Sequence, residues 1–426
     1  MISLVSIICF LIFTIMLLTL LRKDTDIFSP SRLFILVWTL AIGLTDLKLS
    51  GHQLTWSAYS WIMLSISILA ALTGMFIVYV VNLEKSVLPV HSARTILMNS
   101  RINIELLFLI TILLFTAYII SYIVSYLVIG FLPLFTRFPG LSRIDWGIFG
   151  FGLFIQAFPS IIYLGILYLT LEKENLIKKF IISLVILISF ITYAFLLQRY
   201  YIVFAIIVSF VSLYYASKIF RPRNVIIIFI ALAVLMYSMT FIRFSSAIAN
   251  YLYYLSRMKI DIKYAFFTEP YMYVVMNLEN FAHAVDKLQK FTFGTYTFDF
   301  VLALSGIKHP LAEYLSLTDY PNIVTPNFNT YTMFFVYYRD FGPMGLGLIP
   351  FILGSLFSIS YYRMKLSPNI NSIAVYAIFA FVILFSFFVP IITFLHFAFN
   401  FFIIYIVTRI ISEPVNKFNN GLLLSQ

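Results

Sequence analysis

IELLFLITILLFTAYIISYIVSYLV, residues 104–128, carries one charged side chain, Glu105, at its edge. A helix of that length rises about 37 Å at 1.5 Å per residue, enough to cross a hydrocarbon layer of about 30 Å. Outward from it, runs of the same kind recur at 2–21, 31–47, 57–82, 148–171, 178–198, 200–217, 224–242, 343–361, 372–390 and 394–412. The pattern predicts an all-α integral membrane protein of about eleven spans. Composition agrees: 62% of residues are hydrophobic and 11% charged, against about 25% charged in soluble domains. Mean hydropathy is +1.00. At 426 residues the length alone would suggest two or three soluble domains, and the hydropathy sets that aside. The first run, 2–21, lacks a basic start and a small-residue cleavage site, so it reads as a retained span.

The net charge of +11 calls for no nucleic-acid partner, because cytoplasmic loops of membrane proteins concentrate Lys and Arg. The odd-numbered connectors and the C-terminal end carry 16 Lys and Arg, and the short even-numbered connectors carry 4. That asymmetry places the N-terminus outside and the C-terminus in the cytoplasm. Cys9 is the single cysteine and lies within the first run, which leaves no disulfide and no cysteine-based metal site.

One long interval breaks the apolar rhythm. Residues 243–345 hold 16 of the 45 charged residues and 12 of the 29 tyrosines. The chain therefore divides into spans one to eight (1–242), a large extracytoplasmic loop (243–342), and spans nine to eleven with a cytoplasmic tail (343–426). A loop of this length is uncommon unless it functions. Val274, Leu278, Phe281, Val285 and Leu288 recur at helical steps opposite Glu279, Asp286, Lys287 and Lys290. This predicts an amphipathic helix over about 270–290, lying along the membrane interface with Glu279 and Asp286 on its solvated face. A second, tyrosine-rich helix is expected around 247–258.

No P-loop, GxSxG, HExxH or CxxC motif is present, and the five histidines lack metal-ligand spacing. The chain gives no sign of a metal or other cofactor. The unusual feature is arginine on the outer side. Arg137 and Arg143 lie in the connector after span four, Arg199 in a short outer turn, and Arg243 where span eight ends. The planar guanidinium fork suits bidentate phosphate recognition, although a single interfacial arginine can equally serve lipid headgroups. Among acids, Asp340 precedes Phe341-Gly342-Pro343 at the entrance to span nine, and Glu269 precedes Pro270. Either could open a helix, favoured by its dipole, or take the proton of an attacking hydroxyl. The loop closes on Asn329-Thr330-Tyr331-Thr332 and Tyr337-Tyr338-Arg339-Asp340-Phe341-Gly342, then Gly345.

Those residues resemble a family. Gly130-x-x-Pro133-Leu134 followed by arginine, Tyr273-x-x-x-Asn277, and the closing Asn329 to Gly345 signature are similar to segments of Wzy-type oligosaccharide repeat-unit polymerases, the O-antigen polymerases. The likeness in organisation extends over nearly the whole chain. It implies a GT-C-like glycosyltransferase of the bacterial inner membrane, without metal or nucleotide sugar. Such enzymes join a glycan on one undecaprenyl pyrophosphate to a second lipid-linked repeat unit, alongside a Wzz-type chain-length regulator and a Wzx-type flippase. By position, Arg137, Arg143 and Arg243 would hold the pyrophosphates. Arg137, Arg199, Arg339, Asn277, Asn329, Tyr331 and Tyr338 would bind substrate, and Arg143, Arg243, Asp340 and Glu269 are the candidate catalytic residues. Where many relatives carry Arg-Pro in the closing signature, this chain has Phe335-Val336. Two other readings stand beside this one: an O-antigen ligase, and a transporter or flippase for a lipid-linked glycan.

Overall fold

The computed structural model describes residues 3–20, 25–85, 102–143, 146–148, 150–216, 234, 248–288, 290–314 and 321–412. Within them the chain is helical and forms no strand beyond two isolated bridges. In chain order the principal helices are α1 (Leu4–Thr19), α2 (Pro30–Asp46), α3 (Ala58–Val81), α4 (Ile104–Ile129), α5 (Phe158–Leu171) and α6 (Leu176–Ala194). There follow α7 (Arg199–Ala216), α8 (Ile248–Leu255), α9 (Thr268–Lys287), α10 (Phe335–Leu366), α11 (Ile370–Leu384) and α12 (Leu395–Ile411). Among the described residues six helical stretches are long and apolar enough to cross a membrane, so the chain is a multi-pass membrane protein by composition and length. The expected span 224–242 and Arg243 lie outside the described residues. The expected fifth span is interrupted: a short helix, Phe151–Ile155, precedes α5, whose first turn holds Pro159.

Caps follow the local sequence. The side chains of Ser3, Ser57, Asn103 and Asn175 accept the N–H groups of Ser6, Ser60, Leu106 and Lys178, meeting donors that a helix start leaves open. Gly130 ends α4 at φ +81°, the left-handed position that glycine adopts without strain.

The chain resolves into two compact units. The first comprises Met1–Ser86, Tyr237–Tyr362 and Phe379–Ala398, and so unites α1–α3, the long loop and most of α10. Its core includes Trp38, which stacks on Phe334 with centroids 4.8 Å apart and donates its indole N–H to Ser386 Oγ at 2.9 Å. α3 and α10 approach at backbone distance. A Cβ on Gly74 would stand 2.2 Å from the Phe351 carbonyl oxygen, and one on Gly354 2.1 Å from that of Ala71. Small residues permit such a crossing where helices pack in a membrane.

The second unit comprises Val87–Met236, Arg363–Ile378 and Phe399–Gln426. Phe158 stacks on Tyr193 at 4.2 Å, and Asn400 ties across to the start of α5, accepting from Ser160 N and Oγ while donating to the Gln156 carbonyl at 2.8 Å. The Gln156 carbonyl is open to Asn400 because the Ser160 N–H, its partner in a continuing helix, goes to Asn400 Oδ1 instead, while Pro159 has no N–H to offer the Ile155 carbonyl.

Each unit sorts its connectors to two ends. In the first, Ser3 and Ser6 bond Asp46, and residues 49–51 pair with 257–259. At the opposite end, the Tyr361 hydroxyl donates to Asp26 at 2.9 Å. In the second unit Leu134 N bonds the Phe195 carbonyl at 3.0 Å, joining the connectors after α4 and α6. At its other end Asn103 N bonds Ile411 O, and Lys178 pairs with Glu105.

Candidate functional site

The long loop is organised by α9. Rather than lying along an interface with one wet face, α9 is buried on nearly every side, and every residue from Val275 to Ala282 is inaccessible. It packs against α2 and α3. The amphipathic expectation fails over the middle of the helix, where polar partners cover Glu279, and holds at its end, where Asp286 and Lys287 are exposed. Glu279 shows this most clearly. Expected on a solvated face, it is 1% exposed. It accepts from Lys48 Nζ at 2.5 Å, Trp56 Nε1 at 3.0 Å, Leu54 N at 3.1 Å and Gln53 Nε2 at 3.3 Å. A buried carboxylate is tolerated when its lone pairs are met in this way. The Lys48 ammonium also stands 5.2 Å from the centre of the Trp56 ring. Tyr271 extends the network: its hydroxyl bonds Gln53 Oε1 at 2.7 Å, and burial pushes its pKa up, so it remains a donor. Asp286 is exposed as expected, and its Oδ1 accepts from Ser57 at 2.6 Å and Ser60 at 2.8 Å. His283 is half-buried one turn away, its pKa lowered by burial and then by Lys287.

Two amides on the next turn gather the closing part of the loop. Asn277 accepts from Thr330 Oγ1 and donates back to the Tyr273 carbonyl. Asn280 donates to the Phe328 carbonyl at 2.6 Å and the Thr330 carbonyl at 2.8 Å, and accepts from Val324 N at 2.9 Å. The segments Tyr273-x-x-x-Asn277 and Asn329 to Thr332, far apart in sequence, are therefore bonded side by side. Asn329 itself is exposed, while Tyr331 is buried, stacked on Phe335 at 4.0 Å with its hydroxyl on the Pro321 carbonyl. Tyr338 donates to the Val285 carbonyl at 3.1 Å. Glu269 occupies the first turn of α9, as expected of a helix opener, and is buried.

Asp340 departs from expectation. α10 is broken at Gly342 (φ +60°, ψ −147°), so Asp340 ends a short helical segment, 335–341, instead of opening the span that starts at Pro343. Its buried carboxylate accepts from Thr292 Oγ1, from Tyr296 N at 3.1 Å and from Thr297 N at 2.6 Å. Thr292 N and Phe293 N bond the carbonyls of Arg339 and Asp340 at 3.0 and 3.1 Å, acceptors left open where the helix stops. Arg339 is buried, with its guanidinium carbon 3.5 Å from the Tyr296 ring centre. Residues 290–299 thus form a strap stapled to the corner of α10. With those three donors on it, the Asp340 carboxylate fixes the strap.

No family model, curated protein or solved structure matches the chain. The arginines of the second unit remain to be placed. Gly130 and Pro133 shape their connector, Pro133 opening a 3-10 turn, and Phe135 meets Phe195 edge-on at 5.2 Å. Arg137 is exposed beside Phe138, Arg143 follows the short helix Pro139–Ser142 and is half-buried, and Arg199 begins α7, also half-buried. These three arginines occupy one end of that unit. Among the described residues no three His, Cys, Asp or Glu side chains are grouped to hold a metal ion. Sequence reasoning missed Lys48, Gln53 and Trp56, partners of Glu279; the one signal was a lysine standing against the charge bias of its connector.

Proposed function

We propose that this chain is a Wzy-type polymerase, which joins undecaprenyl-pyrophosphate-linked oligosaccharide repeat units on the outer face of a bacterial inner membrane. One observation carries the reading. Within the first unit, Tyr273 to Asn277, Asn329 to Thr332 and Tyr338 to Gly345 are joined through α9 and the 290–299 strap. These are the loop segments that resemble the family. Eleven crossings, counting the apolar run 224–242, put the N-terminus, the connector 47–57 and the long loop on one side. The grouping of connectors in the first unit is in keeping with that count.

In the proposed reaction an acceptor hydroxyl attacks the anomeric carbon of the donor glycan. A carbon–oxygen bond forms, the bond to the pyrophosphate breaks, and undecaprenyl pyrophosphate departs with its charge. By the resemblance to that family, Arg137, Arg143 and Arg243 are the residues proposed to meet that charge. Asn329 and the loop tyrosines border the glycans. The hydroxyl proton goes to a loop carboxylate. Asp340 and Glu269, both buried, are the candidate acceptors, and the Asp340 oxygens already accept from three donors. Purified protein given a single lipid-linked repeat unit tests the function: longer glycan on the same lipid supports it, and unchanged substrate with active-folded protein overturns it. In cells lacking the protein, a polymerase defect leaves one repeat unit on the lipid core, whereas a ligase defect leaves none.

A further inference from the structure

The strap between α9 and α10 presents an apolar surface that the fold does not cover. Phe293 is 83% exposed, and Phe298, Val301, Leu304 and Ile307 follow it along the short helix Asp299–Leu304 and the turn after it, all exposed. Phe293 also holds φ +46°, a left-handed backbone that costs a side-chain-bearing residue energy and persists only where the surroundings impose it. What imposes it is the pair of bonds from Thr292 N and Phe293 N to the corner of α10.

The place of that corner identifies the occupant. From Pro343 to its end, α10 runs about 36 Å at 1.5 Å per residue, a span with little to spare over a hydrocarbon core of about 30 Å. One face of this span is bare at helical spacing: Met344 (82% exposed), Leu348, Ile352, Leu356 and Ile359. On a crossing helix that stripe faces lipid. It begins two residues after Gly342, and the strap is bonded to residues 339 and 340 just before it. Phe341 links the two, its ring 3.5 Å from where a Cβ on Gly294 would lie. The strap's exposed face therefore continues the lipid-facing stripe past the end of the helix. Lys290 is exposed at one border of the patch, and Lys308, paired with Asp299 at 2.8 Å, stands at the other. Lysines bordering an apolar face suit the headgroup level.

We infer that residues 291–307 form an interfacial anchor, with Phe293, Phe298 and Leu304 inserted at the headgroup–acyl boundary of the leaflet on the loop side. This role belongs to the strap and not to α9, and it does not depend on the proposed polymerase activity.

The single cysteine makes the test direct. In a Cys9→Ala background, Phe293→Cys, Leu304→Cys, Leu348→Cys and Asn327→Cys are each spin-labelled in phosphatidylethanolamine–phosphatidylglycerol vesicles. Collisions with oxygen, which partitions into lipid, are compared with collisions with a water-soluble nickel chelate. Positions 293 and 304 should favour oxygen over nickel by severalfold, as Leu348→Cys does, while Asn327→Cys shows the reverse. Nickel-dominated labels at 293 and 304, or labels reached by neither reagent, would overturn the proposal. Either outcome leaves polymerase activity a separate measurement.

Discussion

Thr292 N–H lies 3.0 Å from the carbonyl of Arg339, the acceptor that the next residue available in a continuing helix, Pro343, has no hydrogen to fill. That bond and its neighbour from Phe293 turn a broken helix into a built corner. Glycine at 342 completes it: the backbone there lies near a region essentially confined to glycine, and a Cβ would meet the Phe291 ring at 2.8 Å.

Gly342→Ala should therefore destabilise the first unit by about 1–3 kcal/mol from backbone strain, with the clash in addition. Thermal unfolding in detergent measures it. Adding Phe291→Ala should relieve the clash alone and recover only part of the loss. Full recovery would mean that the backbone at 342 is unstrained.

Glu279 and Lys48 should be energetically coupled. A cycle of Glu279→Gln, Lys48→Met and the pair is expected to give a coupling of roughly 1–3 kcal/mol. The double variant should be little worse than Glu279→Gln, since the lysine has then lost its partner. The lysine's partial exposure keeps the value below that of a fully buried pair. Additive losses would show that the pair contributes nothing jointly.

His283 should make the loop acid-sensitive. Burial and then Lys287 hold its folded-state pKa below the ordinary 6.5, with Asp286 and Glu279 opposing. Between the two values the unfolded chain binds the extra proton, so stability falls as pH drops through 6.5 and levels off below the folded-state value. His283→Gln should flatten that limb of a melting-temperature profile, and an unchanged slope would assign it to other groups.

On the proposed function, Arg143→Lys and Arg243→Lys should each lower polymerisation about 10- to 100-fold, the loss of a charge-assisted bond of roughly 1.5–3 kcal/mol with charge retained. Glycan length ladders at matched expression read this out. Wild-type ladders from both would remove these arginines from pyrophosphate binding.

Much of this was legible in the sequence, because crossing a membrane demands long uncharged runs. Each apolar run that falls on described residues meets a helix, and the helix of the run 343–361 does start afresh at Pro343, after the break at Gly342. The Gly130-x-x-Pro133 pattern also gave its connector away, since a left-handed cap and a fixed φ are written into those residue types. The interior of the loop was not legible. Hydropathy made Glu279 a surface residue because its partners, Lys48, Gln53 and Trp56, stand more than two hundred positions earlier. Asp340 looked like a helix opener because one glycine's torsion, invisible in composition, ends the helix before the proline. Asn280, ordinary in sequence, arranges residues 324–330 with three bonds.

The enclosure of α9 bears on how this molecule can be taken apart. Residues 243–342 invite separate expression in water for antibodies or ligand screens. Cut free, α9 would lose the walls supplied by α2 and α3, leaving Met272, Val275, Met276 and Phe281 bare and Glu279 without Lys48, Gln53, Leu54 and Trp56. Such a fragment should aggregate or stay unstructured, so reagents against the native loop need the whole chain in a bilayer mimic.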